Sequence, residues 1–135
     1  MRFVNINGLK IVGSGAFSTV YRLSSTRIIK VYDRGHFRDA NIMSEEIELS
    51  MSSKYALPVL DVAIAKKKLK KSVNCYYAVI KRYLPNRPSW DEQTNVKRLL
   101  PRKLQVDCHS DNFRKDEKGN IFLIDTQGSY ALGCL

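Results

Sequence analysis

Residues 106–128, V-D-C-H-S-D-N-F-R-K-D-E-K-G-N-I-F-L-I-D-T-Q-G, place the tightest limit on what this chain can fold into. Asp107, Asn112 and Asp125 stand there at intervals of five and thirteen residues. Between Asn112 and Asp125, two short apolar runs flank a turn signal at residues 116–119, so the segment predicts a hairpin. Such a hairpin returns Asp125 to the neighbourhood of Asn112, and a loop carrying Asp107 completes the group. Two carboxylates and an amide supply hard oxygen ligands for a divalent cation and an acceptor for a hydroxyl proton. Phosphoryl transfer to a hydroxyl requires those groups.

The remainder must be built from 135 residues, a length that suits one compact domain, 1–135, with 44% apolar content for its core. A formal net charge of +10 attracts an anionic partner: a nucleotide, a nucleic acid or an acidic protein surface. Residues 1–10 lack the apolar core of a signal peptide and no run approaches membrane-spanning length, so a cytoplasmic protein is expected. Cys75, Cys108 and Cys134 are odd in number, widely spaced and without C-x-x-C. They read as reduced thiols rather than a disulfide frame or a zinc site.

Residues 9–12 and 19–23 predict two strands around Gly13-Ser14-Gly15-Ala16-Phe17-Ser18. Glycines at 13 and 15 let backbone N–H groups approach phosphate oxygens, and they equally suit a plain hairpin turn. Residues 27–32 form a β-branched third strand interrupted by Lys30, a position that fits either the solvent face of a strand or a functional cation. A helix is predicted over about 37–53, with Ala40, Met43, Ile47 and Met51 as its core face. Glu46 lies beside that face on a stripe with Ile42 and Leu49, although Glu45, Glu46 and Glu48 also fit a solvated acidic face. Residues 57–65 and 73–84 predict two more strands, joined through the lysine-rich residues 66–71 as a solvated turn. Residues 89–100 predict one helix, with Ser89 and Glu92 at capping-box spacing and Pro101 after its end. Trp90 is expected to pack this helix onto the hairpin.

Taken in order, Gly13 and Gly15, Lys30, Glu46, Asp107, Asn112 and Asp125 resemble the protein-kinase-like superfamily. The spelling D-C-H-S-D-N looks more like the D-x-H-x-x-N of small-molecule kinases than the eukaryotic H-R-D-x-K-x-x-N, since Gln105 and Val106 stand where His and Arg would precede the Asp. Together with G-x-G-x-F-S it is most similar to the host-shutoff Ser/Thr kinases of podophages. The resemblance implies an α+β, protein-kinase-like fold: a five-stranded antiparallel N-lobe with one helix (1–85) and a strongly reduced C-lobe (86–135) of a short helix and a catalytic hairpin. It implies ATP and Mg²⁺ as cofactors, with Asp107 orienting the acceptor hydroxyl and Asn112 and Asp125 holding the metal. Lys30 would meet the α- and β-phosphates, and Glu46 would aim Lys30. Gly13, Ser14, Gly15, Phe17 and Ser18 would line the phosphate loop, Val20 would cover the adenine, and Tyr83-Leu84-Pro85 would be the hinge. Either Ile80 or Lys81 would be the gatekeeper.

Within the catalytic loop, His109 either faces the transferred phosphate or ties the loop together. Asp111 reads as a solvated carboxylate and Cys108 as a small buried residue. Asp125-Thr126-Gln127-Gly128 lacks the Phe of D-F-G, Val106 replaces the Arg that grips a phosphorylated activation loop, and seven residues follow Gly128. Constitutive activity is therefore expected. The implied function is an ATP- and Mg²⁺-dependent phosphotransferase, a phage Ser/Thr protein kinase that serves host takeover by acting on host proteins in the host cytoplasm. The alternative is a kinase-derived pseudoenzyme that binds and inhibits a host factor through its basic surface; a small-molecule phosphotransferase is third. Expected partners are ATP and a host protein with an acidic surface, and the face beside Trp90 and residues 130–135 is expected to meet a second copy or a host protein. Nucleic acid and membrane are not expected partners.

Overall fold

Strand-forming residues dominate the first part of the chain. The structure is a computed structural model that describes residues 2–15, 17–34, 40–105 and 112–124. Arg2–Asn5 (β1), Ile11–Ser14 (β2), Thr19–Arg22 (β3), Arg27–Val31 (β4), Asp61–Leu69 (β5) and Ser72–Arg82 (β6) form one sheet in the order β1-β5-β6-β4-β3-β2. Two helices, Ala40–Ser50 (α1) and Trp90–Leu99 (α2), a single helical turn, Arg102–Gln105 (α3), and a two-stranded sheet of Phe113–Lys115 (β7) with Ile121–Leu123 (β8) complete an α+β fold. Among the described residues, no helix is long and apolar enough to cross a membrane.

The sheet has six strands and is mixed, where five antiparallel strands were expected. β2 to β6 are antiparallel to their neighbours, but β1 adds a sixth strand parallel to β5, pairing Arg2 with Ala63 and Asn5 with Lys66. Val4 and Ile6 join the core cluster that contains Ala63 and Ala65, while Phe3 and Asn5 stay exposed. A four-residue strand with Val4 as its one buried residue carries too short an alternation to be read in advance.

The chain divides into two compact units, Met1–Ser44 with Val59–Tyr83 and Glu45–Pro58 with Leu84–Leu135. In the first, one sheet face forms the core. Tyr21, Ile29 and Ile80 stand abreast across β3, β4 and β6, and Val31, Ala78 and Ala63 across β4, β6 and β5. Full burial of a residue such as Ile29 contributes about 1.5–3 kcal/mol. Because side chains alternate, Val20, Lys30 and Val79 belong to the other face.

In the second unit, Leu49, Ala56, Val96, Leu100, Leu104, Phe113, Ile121 and Leu123 form the core. α2 starts where its spacing predicts: Ser89 Oγ accepts from the Glu92 N–H at 3.2 Å and the Ser89 N–H donates to Glu92 Oε1 at 2.9 Å. Leu100 leaves the helix in an extended conformation, as the residue before Pro101 favours. Trp90 does not pack onto the hairpin; it is 72% exposed in the first turn of α2, whose buried residues are Gln93 and Val96. Glu92 makes that link instead, through a 3.1 Å ion pair with Lys115 of β7.

Two further expectations are corrected. The buried stripe of α1 is Ile42, Met43, Glu46, Leu49 and Ser50, with Ile47 half-buried and Met51 81% exposed. α1 ends at Ser50, where Ser50 Oγ and Ser52 Oγ donate to the Ile47 and Leu49 carbonyls, and Met51 lies just past that end. The lysine-rich stretch is not a turn from end to end: Lys66, Lys67 and Lys68 belong to β5, and Lys70 and Lys71 make the reversal.

Leu123→Ala removes a fully buried core side chain and is expected to cost about 2–5 kcal/mol in urea unfolding. Ser89→Ala, which removes one cap, is expected to cost about 1 kcal/mol. A larger loss from Ser89→Ala than from Leu123→Ala would contradict this assignment of the second core.

Candidate functional site

Strand register places three of the expected nucleotide residues in one row. Gly13 pairs with Val20, Val20 with Lys30 and Lys30 with Val79, so all project to the sheet face opposite the aliphatic core. Lys30 is only 4% exposed, and its ammonium lies 5.8 Å from the centroid of the Tyr32 ring. Of the two residues that the sequence leaves open beyond it, Ile80 pairs with Ile29 in the core cluster, whereas Lys81 pairs with Ile28 on the Lys30 face. Lys81 is 1% exposed. The sheet thus carries two buried lysines as diagonal neighbours on one face, and sequence reasoning gave no role to the second as a cation. Only the pairing of β4 with β6, which the sequence does not print, brings Lys81 to that face.

The glycine turn is braced from outside. Ser14 pairs with Thr19, and the Gly15 N–H donates to the Ser18 carbonyl at 2.9 Å. The Thr19 hydroxyl donates to Asp33 Oδ1 at 2.9 Å, and Arg34 donates from its backbone to the Phe17 carbonyl and from its guanidinium to the Gly15 carbonyl. Neither Gly13 nor Gly15 has a positive φ, and a Cβ at Gly13 would meet Val20 at an ordinary 3.8 Å. Backbone conformation therefore does not require glycine at 13 or 15; what glycine leaves there is an uncovered backbone. The pairing of β2 with β3 shifts register between Ile11 and Gly13. Ser14 is exposed, Phe17 and Val20 are half-buried, and Ser18 is buried. Tyr83 spends its amide on the Thr26 carbonyl at 2.8 Å, and its half-buried ring carries the Arg22 guanidinium at 4.8 Å.

In the second unit, burial separates the three carboxylates of α1. Glu46 is 0% exposed, Glu45 is half-buried and Glu48 is exposed. One oxygen of Glu45 is buried without a hydrogen-bond partner, and burial, with a smaller contribution from Glu48, pushes its carboxyl above the usual range.

The expected hairpin is present. Phe113 pairs with Leu123 and Lys115 with Ile121, and the ladder extends one step further where the Ile124 N–H donates to the Asn112 carbonyl at 2.7 Å. Asn112 therefore faces the residue that precedes Asp125. Asp116 closes the far end: its carboxylate accepts from the N–H groups of Lys118 and Asn120 and from the Asn120 amide, and Gly119 takes the positive φ of 85° that the turn needs. Lys115 is held twice, by its N–H on the Asn86 carbonyl at 2.8 Å and by its ammonium on Glu92. The Ser89 N–H first, and the Lys115 ammonium with it, keep the Glu92 carboxyl below its usual range. Asp107, Cys108, His109, Asp111 and Asp125, and the tail 130–135, lie outside the described residues.

The Glu45 carboxyl gives a signed prediction. Its folded-state pKa is raised, so its contribution favours folding below the unfolded value and is lost as pH rises through the folded value. Glu45→Gln is therefore expected to raise the melting temperature at about pH 7 and to lose that advantage below about pH 4. A lower melting temperature for Glu45→Gln at neutral pH would contradict it. No protein-family model and no curated protein matches the chain.

Proposed function

We propose that this chain is an ATP- and Mg²⁺-dependent phosphotransferase, a reduced Ser/Thr protein kinase of the protein-kinase-like superfamily. The observation that carries the reading is the hairpin register, in which the Asn112 carbonyl accepts from Ile124 and so sets Asn112 against the approach to Asp125. An amide and a carboxylate fit Mg²⁺, which takes oxygen ligands and a small number of protein groups alongside phosphate. Bound there, the metal would neutralise charge on the nucleotide phosphates. Lys30 supports the same reading, because burying a lysine on the sheet face that also carries Gly13 is costly, and a strand lysine placed only for solvation would stay exposed. Glu46 does so as well, being the one α1 carboxylate that is fully buried.

In this reading each residue has a stated task. The small glycine turn at Gly13 and Gly15 leaves room for phosphate oxygens, and Lys30 donates to them. Asn112 and Asp125 hold the metal. Asp107 orients the acceptor hydroxyl and takes its proton as the new oxygen–phosphorus bond forms and the bond to the departing ADP breaks. The acceptor is a hydroxyl of a host protein, in the host cytoplasm. The experiment is transfer of labelled γ-phosphate from ATP, to the protein itself and to a host lysate. Asp107→Asn should lower transfer by roughly 10²-fold or more while nucleotide binding survives. Equal transfer by wild type and Asp107→Asn would remove Asp107 from this role, and absence of transfer by the wild type would sink the enzyme reading.

A further inference from the structure

We propose that the outer end of the β5–β6 hairpin is a basic two-stranded ribbon that binds the backbone of duplex DNA. The inference is independent of the phosphotransfer reading, because none of its residues belongs to the candidate site. β1 accompanies β5 only as far as Lys66, which pairs with Asn5 and accepts from the Ile6 N–H at 3.0 Å. On the other side, β4 pairs with β6 only as far as Ala78, and one more bond joins Tyr32 to the Tyr77 carbonyl. Beyond these rows β5 and β6 continue as a pair, through Lys67 with Asn74, Lys68 with Val73 and Leu69 with Ser72. The Asn7 side chain braces the free edge of β5, accepting from the Lys68 N–H at 2.7 Å and donating to the Lys68 carbonyl at 3.1 Å.

This brace matters because it turns a run of charge into a shaped surface. With their backbone fixed in a strand, Lys66 and Lys68 stand on one face of the ribbon, Lys67 on the other, and Lys70 and Lys71 at the tip. Lys67 is half-buried and the other four are exposed. No acidic residue occurs between Val62 and Trp90, so the ribbon presents one sign of charge. A two-stranded ribbon is an element that the major groove of B-form DNA admits, and lysines on both faces and at the tip can meet phosphates on either wall. Recognition through lysine and phosphate alone is indifferent to base sequence.

The test is fluorescence anisotropy of a labelled duplex over a salt series. Each phosphate contact contributes about −0.9 to the slope of log K against log salt, so five lysines on phosphate give the wild type a slope of about −4.5. A ribbon variant carrying Lys67→Gln, Lys68→Gln, Lys70→Gln and Lys71→Gln should lose about 3.6 units of that slope and more than about 10²-fold in affinity near 0.1 M salt. A control carrying Lys10→Gln, Arg98→Gln, Arg102→Gln and Lys118→Gln removes the same net charge from exposed positions elsewhere, and should bind within about threefold of wild type. Melting temperatures of both variants report that the fold is kept. Equal loss in the two variants would show net charge at work and overturn the proposal. So would competition by polyglutamate as effective as by unlabelled duplex, which would point to an acidic protein, or absence of duplex binding at low salt.

Discussion

Leu123 sits between two backbone hydrogen bonds, its N–H on the Tyr55 carbonyl at 2.7 Å and its carbonyl receiving the Leu57 N–H at 2.9 Å. Much in the second unit depends on this pair. It fixes β8 against the segment that leaves α1, and β8 in turn sets the register of β7. The ladder end, where Ile124 meets Asn112, inherits that register. A slip of one residue would turn Leu123 and Ile121 out of the core and carry Asn112 away from the chain leading to Asp125. Leu123, Phe113 and Ile121 are all buried in one cluster, so the apolar pattern and the hydrogen bonds select the same pairing.

A second constraint is the burial of charge. Lys30, Lys81 and Glu46 are almost wholly removed from water, and none of them lacks a partner. Placing an ion in such a position costs several kcal/mol before pairing. An aliphatic side chain of the same length would serve the sheet as well or better. Charge retained against that cost points to use, and in the proposed phosphotransferase that use would be to meet nucleotide phosphate. The two lysines share a face with Gly13 and Val20, while Tyr21, Ile29, Val31, Ala78 and Ile80 on the opposite face of the same strands belong to the core cluster. One sheet thus places its core side chains and its two buried lysines on opposite sides.

Much of this was legible in the sequence where short-range chemistry decides the outcome. The turn at Asp116 to Gly119 and the capping box at Ser89 and Glu92 depend on residues within four positions of one another, and both formed as their spelling requires. The stripe of Ile42, Glu46 and Leu49 also follows from helical spacing, and all three residues are buried. What stayed hidden depends on distant partners. β1 exists because Ala63 and Ala65, far along the chain, leave an edge that Val4 can cover. Lys81 is buried because its strand is central, flanked by β4 and β5, a fact that its own sequence neighbourhood does not contain. Trp90 misled because a large aromatic residue suggests packing, while its place in the first turn of α2 leaves it outside the helix's buried face.

The central claim is that the face of Lys30 receives a nucleotide phosphate chain, and ligand-induced stabilisation tests it without requiring transfer to any acceptor. A ligand that binds only the folded state at a hundred times its dissociation constant adds about 2.7 kcal/mol. Thermal unfolding with saturating Mg-ATP should therefore show a clear upward shift in the wild type and a much smaller one in Lys30→Met, whose unliganded melting temperature serves as the reference. An unshifted melting temperature in the wild type at millimolar Mg-ATP, or an equal shift in Lys30→Met, would contradict the account.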